Sequence, residues 1–454
     1  MKIVLLNPPA PVRVIRDYYC TSLAKSTYYY HPIDLVYMSG TLAAAHDICV
    51  IDAIADGLSV HQALLAIQRQ RPDAIVALVA SPTLSNDLRF LQAVKRSCPS
   101  CRIVVTGDVV RELGGRLLAE QPWIDAAITD FSTDVVVAAV EGTTTQVLPN
   151  LVMRRGDSIL AGEELHTNGT FSVRRPAWKL FLSDRYRFPF AHRAPFACVL
   201  TDFGCPYDCT FCPVSTLGFK LRPVSEVVEE LVDLKQLGVK ELHFRDQTFG
   251  VNKRRAFELC EAMRELDFTW SCFTRVDVIT EPLLREAKQA GCHTVIFGIE
   301  TADDQLLSDY KKGTTHAQVR AALELCRRHC VSSVGTFLLG LPGETTESAE
   351  RTIAYACSLP LDFASFNVAV PRLGSTFRKQ AVAAGLVRAD VLELRPEALS
   401  EAYVGSAVNH AQGLVRLANQ RFYRRIPYLI QRVRRSDSFW SFANQVRIGW
   451  QLVG

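Results

Sequence analysis

The chain of 454 residues is 48% hydrophobic and 22% charged, with a net charge of +4. These are ordinary globular values: they suit about two to four domains with sizeable cores, and global charge gives no case for a nucleic-acid partner. The apolar start Met1–Leu6 runs straight into Asn7-Pro8-Pro9, and no apolar run approaches the ~20 residues of a membrane span, so the fourteen scattered cysteines are expected free or metal-bound in a reducing cytoplasm.

In chain order, residues 1–6 read as a buried strand, and a polar, tyrosine-rich segment follows (Tyr18, Tyr19, Tyr28, Tyr29, Tyr30). Ile33–Ala45 reads as a helix entered through Pro32, Ile48–Ile51 as a strand ending at Asp52, and Val60–Gln70 as a helix. Ala74–Val79 is a strand ending at Ser81, Asp87–Arg96 a helix, Ile103–Val105 a strand ending at Gly107, and Ala126–Ile128 a strand ending at Asp130. Strands alternating with helices at this spacing predict a parallel, doubly wound sheet, whose ligands sit beyond the carboxyl ends of its strands. Asn7, Asp52, Ser81, Gly107 and Asp130 all fall at those ends, where most of them also suit plain turns. Cys98 and Cys101 form a CxxC, but after a helix rather than between a strand and a helix start, so a surface turn is expected.

Residues 146–190 read as a connector, with Asn168-Gly169 placed to turn a small hairpin between Glu163–His166 and Phe171–Val173. From 191 to 380 the alternation resumes at a longer period. Strands are expected at 197–202, 240–245, 269–274, 293–299, 333–339 and 363–369, with helices such as 224–237, 256–266, 281–290, 316–329 and 346–358 between them. Six β/α units in succession predict a partial barrel with its active residues at the C-terminal strand ends. Those ends carry Asp246, Arg275, Glu300, Gly340 and Gly374. Residues 381–454 are helical in composition. Within them 421–435 carries six arginines and no acid, a pattern that suits an anionic membrane surface, a phosphate-bearing substrate or simply a solvated helix face. Pro427 argues against one uninterrupted helix there.

After the first strand of the second region, Cys205, Cys209 and Cys212 stand at CxxxCxxC spacing, with Phe211 before the last. Thiolates suit zinc and iron–sulfur clusters. A structural zinc site is closed by four ligands, and no second pair follows; three thiolates on a four-iron cluster instead leave one iron open for chemistry. Cys198 lies inside the preceding strand and reads as a small buried hydrophobe.

This spacing resembles the radical S-adenosylmethionine (SAM) enzymes. The resemblance implies that the amino and carboxylate groups of SAM chelate the open iron of a 4Fe-4S cluster. An electron then splits SAM to methionine and a 5′-deoxyadenosyl radical. The run of strand-end motifs over 197–376 resembles the subfamily in which a cobalamin-binding domain precedes the barrel, here 1–145. There Asn7-Pro8-Pro9, Ser81-Pro82-Thr83, Gly107 and Asp130 stand where that subfamily meets cobalamin. The resemblance implies that Asp246 faces the SAM amino group, that Arg275 and Glu300 hold its carboxylate and ribose, and that Gly340 flanks adenine; Phe211 belongs to the same site. The alternative for Arg275 and Glu300 is a buried ion pair with one another.

Two departures are plain. The Asp-x-His-x-x-Gly motif that supplies a cobalt ligand in other cobalamin proteins is absent, its nearest approach being Glu164-Leu-His166-Thr-Asn-Gly169. The acidic glycine loop of many members is Thr129-Asp130-Phe131-Ser132. The implied function is methylation of an unactivated carbon of a small molecule, with a flavodoxin or ferredoxin as electron donor. Two alternatives stand: cyclisation, ring contraction or rearrangement with the same parts, and a non-catalytic protein that senses cobalamin or SAM. A transfer-RNA methylthiotransferase is set aside, because Cys20, Cys49, Cys98 and Cys101 do not form its second cysteine trio.

Overall fold

The computed structural model describes residues 1–18, 21–23, 29–165, 168–393, 407–426 and 428–430. Strands β1 (Lys2–Asn7), β2 (Val14–Ile15), β3 (Ser22–Leu23), β4 (Asp47–Asp52), β5 (Ala74–Leu78), β6 (Arg102–Thr106), β7 (Ala126–Ile128), β8 (Leu151–Arg155) and β9 (Ser158–Ala161) make up the first part. Seven of them form one sheet in the order β4-β1-β5-β6-β7-β8-β9, parallel from β4 to β7. Successive strand residues face opposite sides. Ile3, Leu5, Val76 and Val104 therefore pack with the helices Ile33–Ala43 and Val135–Glu141. Val4, Leu6, Ile75, Val105 and the helices Val60–Gln70, Leu84–Ser97 and Val110–Glu120 form the opposite layer. The sheet is thus doubly wound, with β1 between the edge strand β4 and β5, as the alternation predicts.

The sheet continues past residue 145. The hairpin β8–β9 turns at Gly156 and adds two antiparallel strands beside β7, because Leu151, Val152 and Met153 are buried on the sheet. The hairpin expected at Asn168-Gly169 is corrected: β10 (Gly169–Thr170) pairs in parallel with a strand 50 residues on. His166 lies outside the described residues, as do Tyr19, Tyr28, Pro427 and the arginines beyond 430.

The second part begins with β11 (Phe196–Val199) and β12 (Asp202–Gly204), followed by β13 (Phe219–Leu221), β14 (Glu241–Phe244) and β15 (Thr269–Thr274). It ends with β16 (Cys292–Glu300), β17 (Ser332–Leu339) and β18 (Phe363–Val368). Six of these form a wholly parallel sheet in strict chain order, β11-β14-β15-β16-β17-β18, with helices on its outer side. The strands agree with the sequence reading within a few residues at each end. Outer-face residues such as Phe244, Trp270 and Phe366 meet the helices, and Phe366 packs on Phe422 of the helix Ala407–Tyr423. Among the described residues no helix is long and apolar enough to cross a membrane.

One core runs through both sheets. Where they meet, Tyr37, Trp178, Arg222 and Glu230 are buried together. Arg222 Nη1 donates to Glu230 Oε2 (2.6 Å) and to Leu200 O (2.8 Å), Trp178 Nε1 donates to Glu230 Oε1 (2.8 Å), and the Tyr37 hydroxyl accepts from Leu200 N (2.7 Å). Both members of the ion pair have no solvent-exposed side-chain area.

Candidate active site

The three cysteines lie on the loop between β12 and β13, beyond the C-terminal end of β11. Backbone bonds fix its path: Cys205 N donates to Gly218 O (3.1 Å), Cys212 N to Cys209 O (3.0 Å) and Thr210 N to Tyr310 O (3.1 Å). Phe377 N donates to Thr210 O (2.8 Å), so the loop is tied at several points. Cys205 and Cys212 are half-buried, whereas Cys209 is buried.

Arg275, at the end of β15, stacks on the Tyr207 ring, with its guanidinium carbon 3.7 Å from the centroid. Asp277 grips it twice (2.9 Å each), and Arg275 Nη1 lies 3.6 Å from Cys209 Sγ. Lys312 pairs with Glu300 Oε1 (2.7 Å) and stands 5.9 Å from the centre of the Phe211 ring. Burial pushes the Cys209 thiol up, and the charges of Lys312 and Arg275 pull it back. The loop is therefore flanked by two cations, as thiolates require. Arg275 and Glu300 do not pair with each other; each has its own partner.

Glu300 ends β16 at a register shift and adopts φ +68°, which is strained for a side chain of its size. A Cβ on Gly298 would stand 2.5 Å from Glu300 Oε1 and 2.7 Å from Lys312 Nζ, so a side chain there would displace the ends of that pair. Gly340, ending β17, donates its N–H to Glu344 Oε2, while the second Glu344 oxygen is buried without a partner.

Burial raises the Glu344 carboxyl to about 7 from an ordinary 4.5, against the pull of the Gly340 N–H and with help from Asp303. Its neutral form therefore favours the folded chain, and that contribution fades as pH rises from about 4.5 through about 7. Glu344→Gln should flatten the fall in thermal stability between pH 5 and about 7.5, read from melting curves across that range.

Asp246, at the end of β14, is fully buried. It accepts from Thr201 N and Thr201 Oγ1 (both 2.6 Å) and from Asp202 N (3.1 Å). Both its oxygens are thus committed to the start of the cysteine loop, so it positions that loop rather than facing the open mouth. Burial and the neighbouring Asp246 charge push the Asp202 carboxyl well up.

Asn7, Asp52, Ser81, Gly107 and Asp130 lie together along the C-terminal edge of the first sheet, and this edge faces the cysteine domain. Asn7 Nδ2 donates to Asp52 Oδ1 (2.9 Å), and Ser81 donates through N and Oγ to Asp108 (3.0 and 2.8 Å). Thr83 Oγ1 donates to Asp87 Oδ2 (2.8 Å). Gly107 takes φ +127° with Val79 O pressed against it, which leaves no space for a side chain. Asp130 accepts from Ser132 N and from Lys220 Nζ (2.8 Å each).

Sequence reading missed Arg16, Tyr18, Lys220 and Arg245. Arg16 crosses the edge to pair with Asp87 (2.6 Å) and donates to Asn7 Oδ1 (2.7 Å). Tyr18 packs on Phe131 and Phe203 and donates to Thr129 O. Lys220 and Arg245 reach from the second sheet to Asp130 and Asp17 of the first. These residues have no periodicity, and apart from Asn7, 9 positions from Arg16, their partners are 71 to 228 positions distant; no local signal marks them.

The donor sets fit the groups the sequence implies. Three thiols on one tied loop suit a cluster, which sets its thiolates at separate corners of a cube. Tetrahedral binding of one ion needs them closer, and among the described residues no three His, Cys, Asp or Glu are placed to hold a single ion. Along the first sheet, amide, hydroxyl and carboxylate groups converge, and the buried Thr129 hydroxyl and Asp34 carboxylate lack partners there. Of the histidines in this part, His31 stacks on Tyr186, whose hydroxyl donates to Asp52 Oδ2 (2.8 Å), His46 faces Glu141, and His61 is exposed.

Residues 200–356 match the radical SAM superfamily. An uncharacterized methyltransferase of Pyrococcus horikoshii is 29% identical over 85% of this chain and 84% of its own length. The anaerobic magnesium-protoporphyrin IX monomethyl ester cyclase of Rubrivivax gelatinosus is 27% identical over 75% of the chain, which spans 64% of that enzyme. Two solved structures share the fold. The radical SAM methyltransferase TsrM of Kitasatospora setae, with cobalamin and a [4Fe-4S] cluster bound, superposes with TM-score 0.66, 17% identity, and coverage of 86% of this chain and 79% of that one. The cobalamin-dependent SAM radical enzyme OxsB, with aqua-cobalamin and SAM bound, gives TM-score 0.72, 14% identity, and coverage of 98% and 70%. With its cysteine loop at the end of the first strand of a six-stranded parallel sheet, the chain carries a radical SAM domain over residues 200–356.

Proposed function

We propose that this enzyme methylates an unactivated carbon of a small molecule, using a 4Fe-4S cluster, SAM and cobalamin. The observation that carries the reading is the juxtaposition of the cysteine loop with the C-terminal edge of the first sheet, bridged by Lys220–Asp130 and Arg245–Asp17. When bound, the cluster supplies the electron that splits SAM, and cobalamin carries the methyl group.

The chain's own residues hold and orient. Cys205, Cys209 and Cys212 ligate the cluster. Arg275, fixed by Asp277 and Tyr207, presents its guanidinium to the SAM carboxylate beside Cys209. Glu300 and Gly340 line the ribose and adenine, and Phe211 closes the side toward Tyr310. Asn7, Ser81, Thr83, Gly107 and Asp130 would receive cobalamin. Such chemistry also needs a one-electron donor of the flavodoxin or ferredoxin type.

Arg275→Lys keeps the charge but loses the bidentate grip and the stack. Losing charge-assisted bonds of this kind costs about 1.5–3 kcal/mol, so SAM cleavage should fall roughly 10- to 100-fold, measured as 5′-deoxyadenosine formed anaerobically. The functional test is incubation of the reconstituted enzyme with cobalamin, SAM and a strong reductant. Deoxyadenosine together with transfer of the SAM methyl to cobalamin supports the methyltransferase. Deoxyadenosine without methyl transfer favours ring closure or rearrangement, the reading that the similarity to a cyclase supports.

A further inference from the structure

The inner face of the six-stranded sheet can be read from its register, because register partners in a parallel sheet point to the same side. Phe273 pairs with Ile296, Gly298 with Thr336, Val334 with Phe363, Thr336 with Ser365, and Leu338 with Asn367. Phe337 and Phe366, one residue out of phase, pack outward on each other and on Phe422. On the inward side, Phe273, Thr336, Leu338, Phe363 and Asn367 are only half-buried, whereas the outward Cys272, Gly335, Phe337, Leu339, Ala364 and Phe366 are buried. Phe190 from the connector joins them, its ring 5.1 Å from that of Phe363. These half-buried side chains line the inner side of the sheet, on strands that lead up to Arg275 and the cysteine loop, and the space in front of them is called the chamber.

Its chemistry is selective. Phe273, Leu338 and Phe363 give its wall an aromatic and aliphatic part, with His243, Ser271, Thr294 and Ser365 on the same face. Thr336 donates its single hydroxyl hydrogen to Phe297 O (3.2 Å), which leaves its lone pairs. Asn367 commits Nδ2 to Phe337 O (3.3 Å) and Ser365 O (3.2 Å), which leaves Oδ1 as an acceptor, with the amide orientation assigned from these bonds. Two cations stand on this face: Arg245 is paired with Asp17, near the rings of Tyr30 and Phe273, and Arg275, held by Asp277, is taken by the SAM carboxylate in the proposed function.

We propose that this chamber takes an uncharged, carbon-rich, planar compound bearing an N–H or O–H donor. Its ring lies against Phe273 and Phe363, and its donor points to Thr336 and Asn367. An anionic substrate would have no uncommitted cation among the described residues of this face, and aromatic walls favour flat apolar skeletons over sugars or phosphates. The proposal rests on the radical SAM reading only in taking the chamber beneath the cysteine loop as the substrate's place.

The test uses the reconstituted full-length enzyme with SAM, under anaerobic conditions, and three probes: indole, 1-methylindole and benzoate. Calorimetry should show indole binding at least tenfold tighter than benzoate and severalfold tighter than 1-methylindole. Phe363→Ala should weaken indole at least fivefold. Thr336→Val, nearly isosteric and at a half-buried site, should erase the preference for indole over 1-methylindole while leaving 1-methylindole unchanged. Equal or tighter binding of benzoate, no detectable indole binding, or indifference to both variants would overturn the proposal. Deoxyadenosine is followed in parallel: indole binding without SAM cleavage contradicts the catalytic reading alone, and cleavage without indole binding contradicts the chamber's specificity alone.

Discussion

Cys209→Ala should yield a folded protein with no iron–sulfur absorbance and no SAM cleavage. Cys209 is the most buried of the trio and lies against Arg275 at 3.6 Å. With it gone, two thiolates remain, too few to hold a cluster with a single open iron. The fold should survive, because the loop is tied through its backbone: Thr210 N to Tyr310 O, and Phe377 N to Thr210 O. Iron content, visible absorbance and deoxyadenosine yield measure the loss, and an unchanged melting curve separates it from unfolding. Retained SAM cleavage in this variant would sink the assignment of the trio.

The largest effect on stability is expected at Glu230. Its two oxygens take Arg222, Trp178 and the Tyr37 hydroxyl in a pocket with no exposed side-chain area on either ion. Glu230→Gln keeps the volume and leaves the Arg222 cation without its counter-charge; breaking a buried pair in this way costs about 3–5 kcal/mol. The denaturation midpoint should drop markedly, and loading of the cysteine loop should fall with it, because Arg222 directly follows β13 at the loop's exit. A double change, Arg222→Met with Glu230→Leu, should recover most of the loss, since apolar replacement of a buried pair is often neutral. An unmoved midpoint in the single variant would mean that the seam between the sheets does not depend on this pair.

The barrel strands were legible because each is a compact apolar run bounded by turn residues, and its helix repeats at a long period. The first sheet was legible for the same reason up to Ile128. The β8–β9 hairpin was not, because its Gly156-Asp157 turn sits between short, mixed segments, while Asn168-Gly169 offered a stronger local turn signal that tertiary pairing with β13 overrode. Within the site, the cysteine spacing alone located the loop. Arg275 and Glu300 stood out by their place at strand ends, but their partners did not: Asp277 is two residues on from Arg275, whereas Lys312 follows a short helix and only the fold returns it to Glu300. Asp246 shows the limit most plainly. A carboxylate at a strand end suits a ligand, yet the backbone of Thr201 and Asp202 takes both its oxygens, and nothing in the spacing of residues 201 and 246 announces that contact.

The central claim is that the Cys205–Cys212 loop carries a four-iron cluster whose open iron receives SAM. The most direct test is electron paramagnetic resonance of the anaerobically reconstituted, reduced protein, recorded with and without SAM. The account predicts the signal of a single reduced four-iron cluster that shifts when SAM is added and is absent from Cys209→Ala. A cluster signal that SAM leaves unmoved, or one that persists in Cys209→Ala, would contradict it.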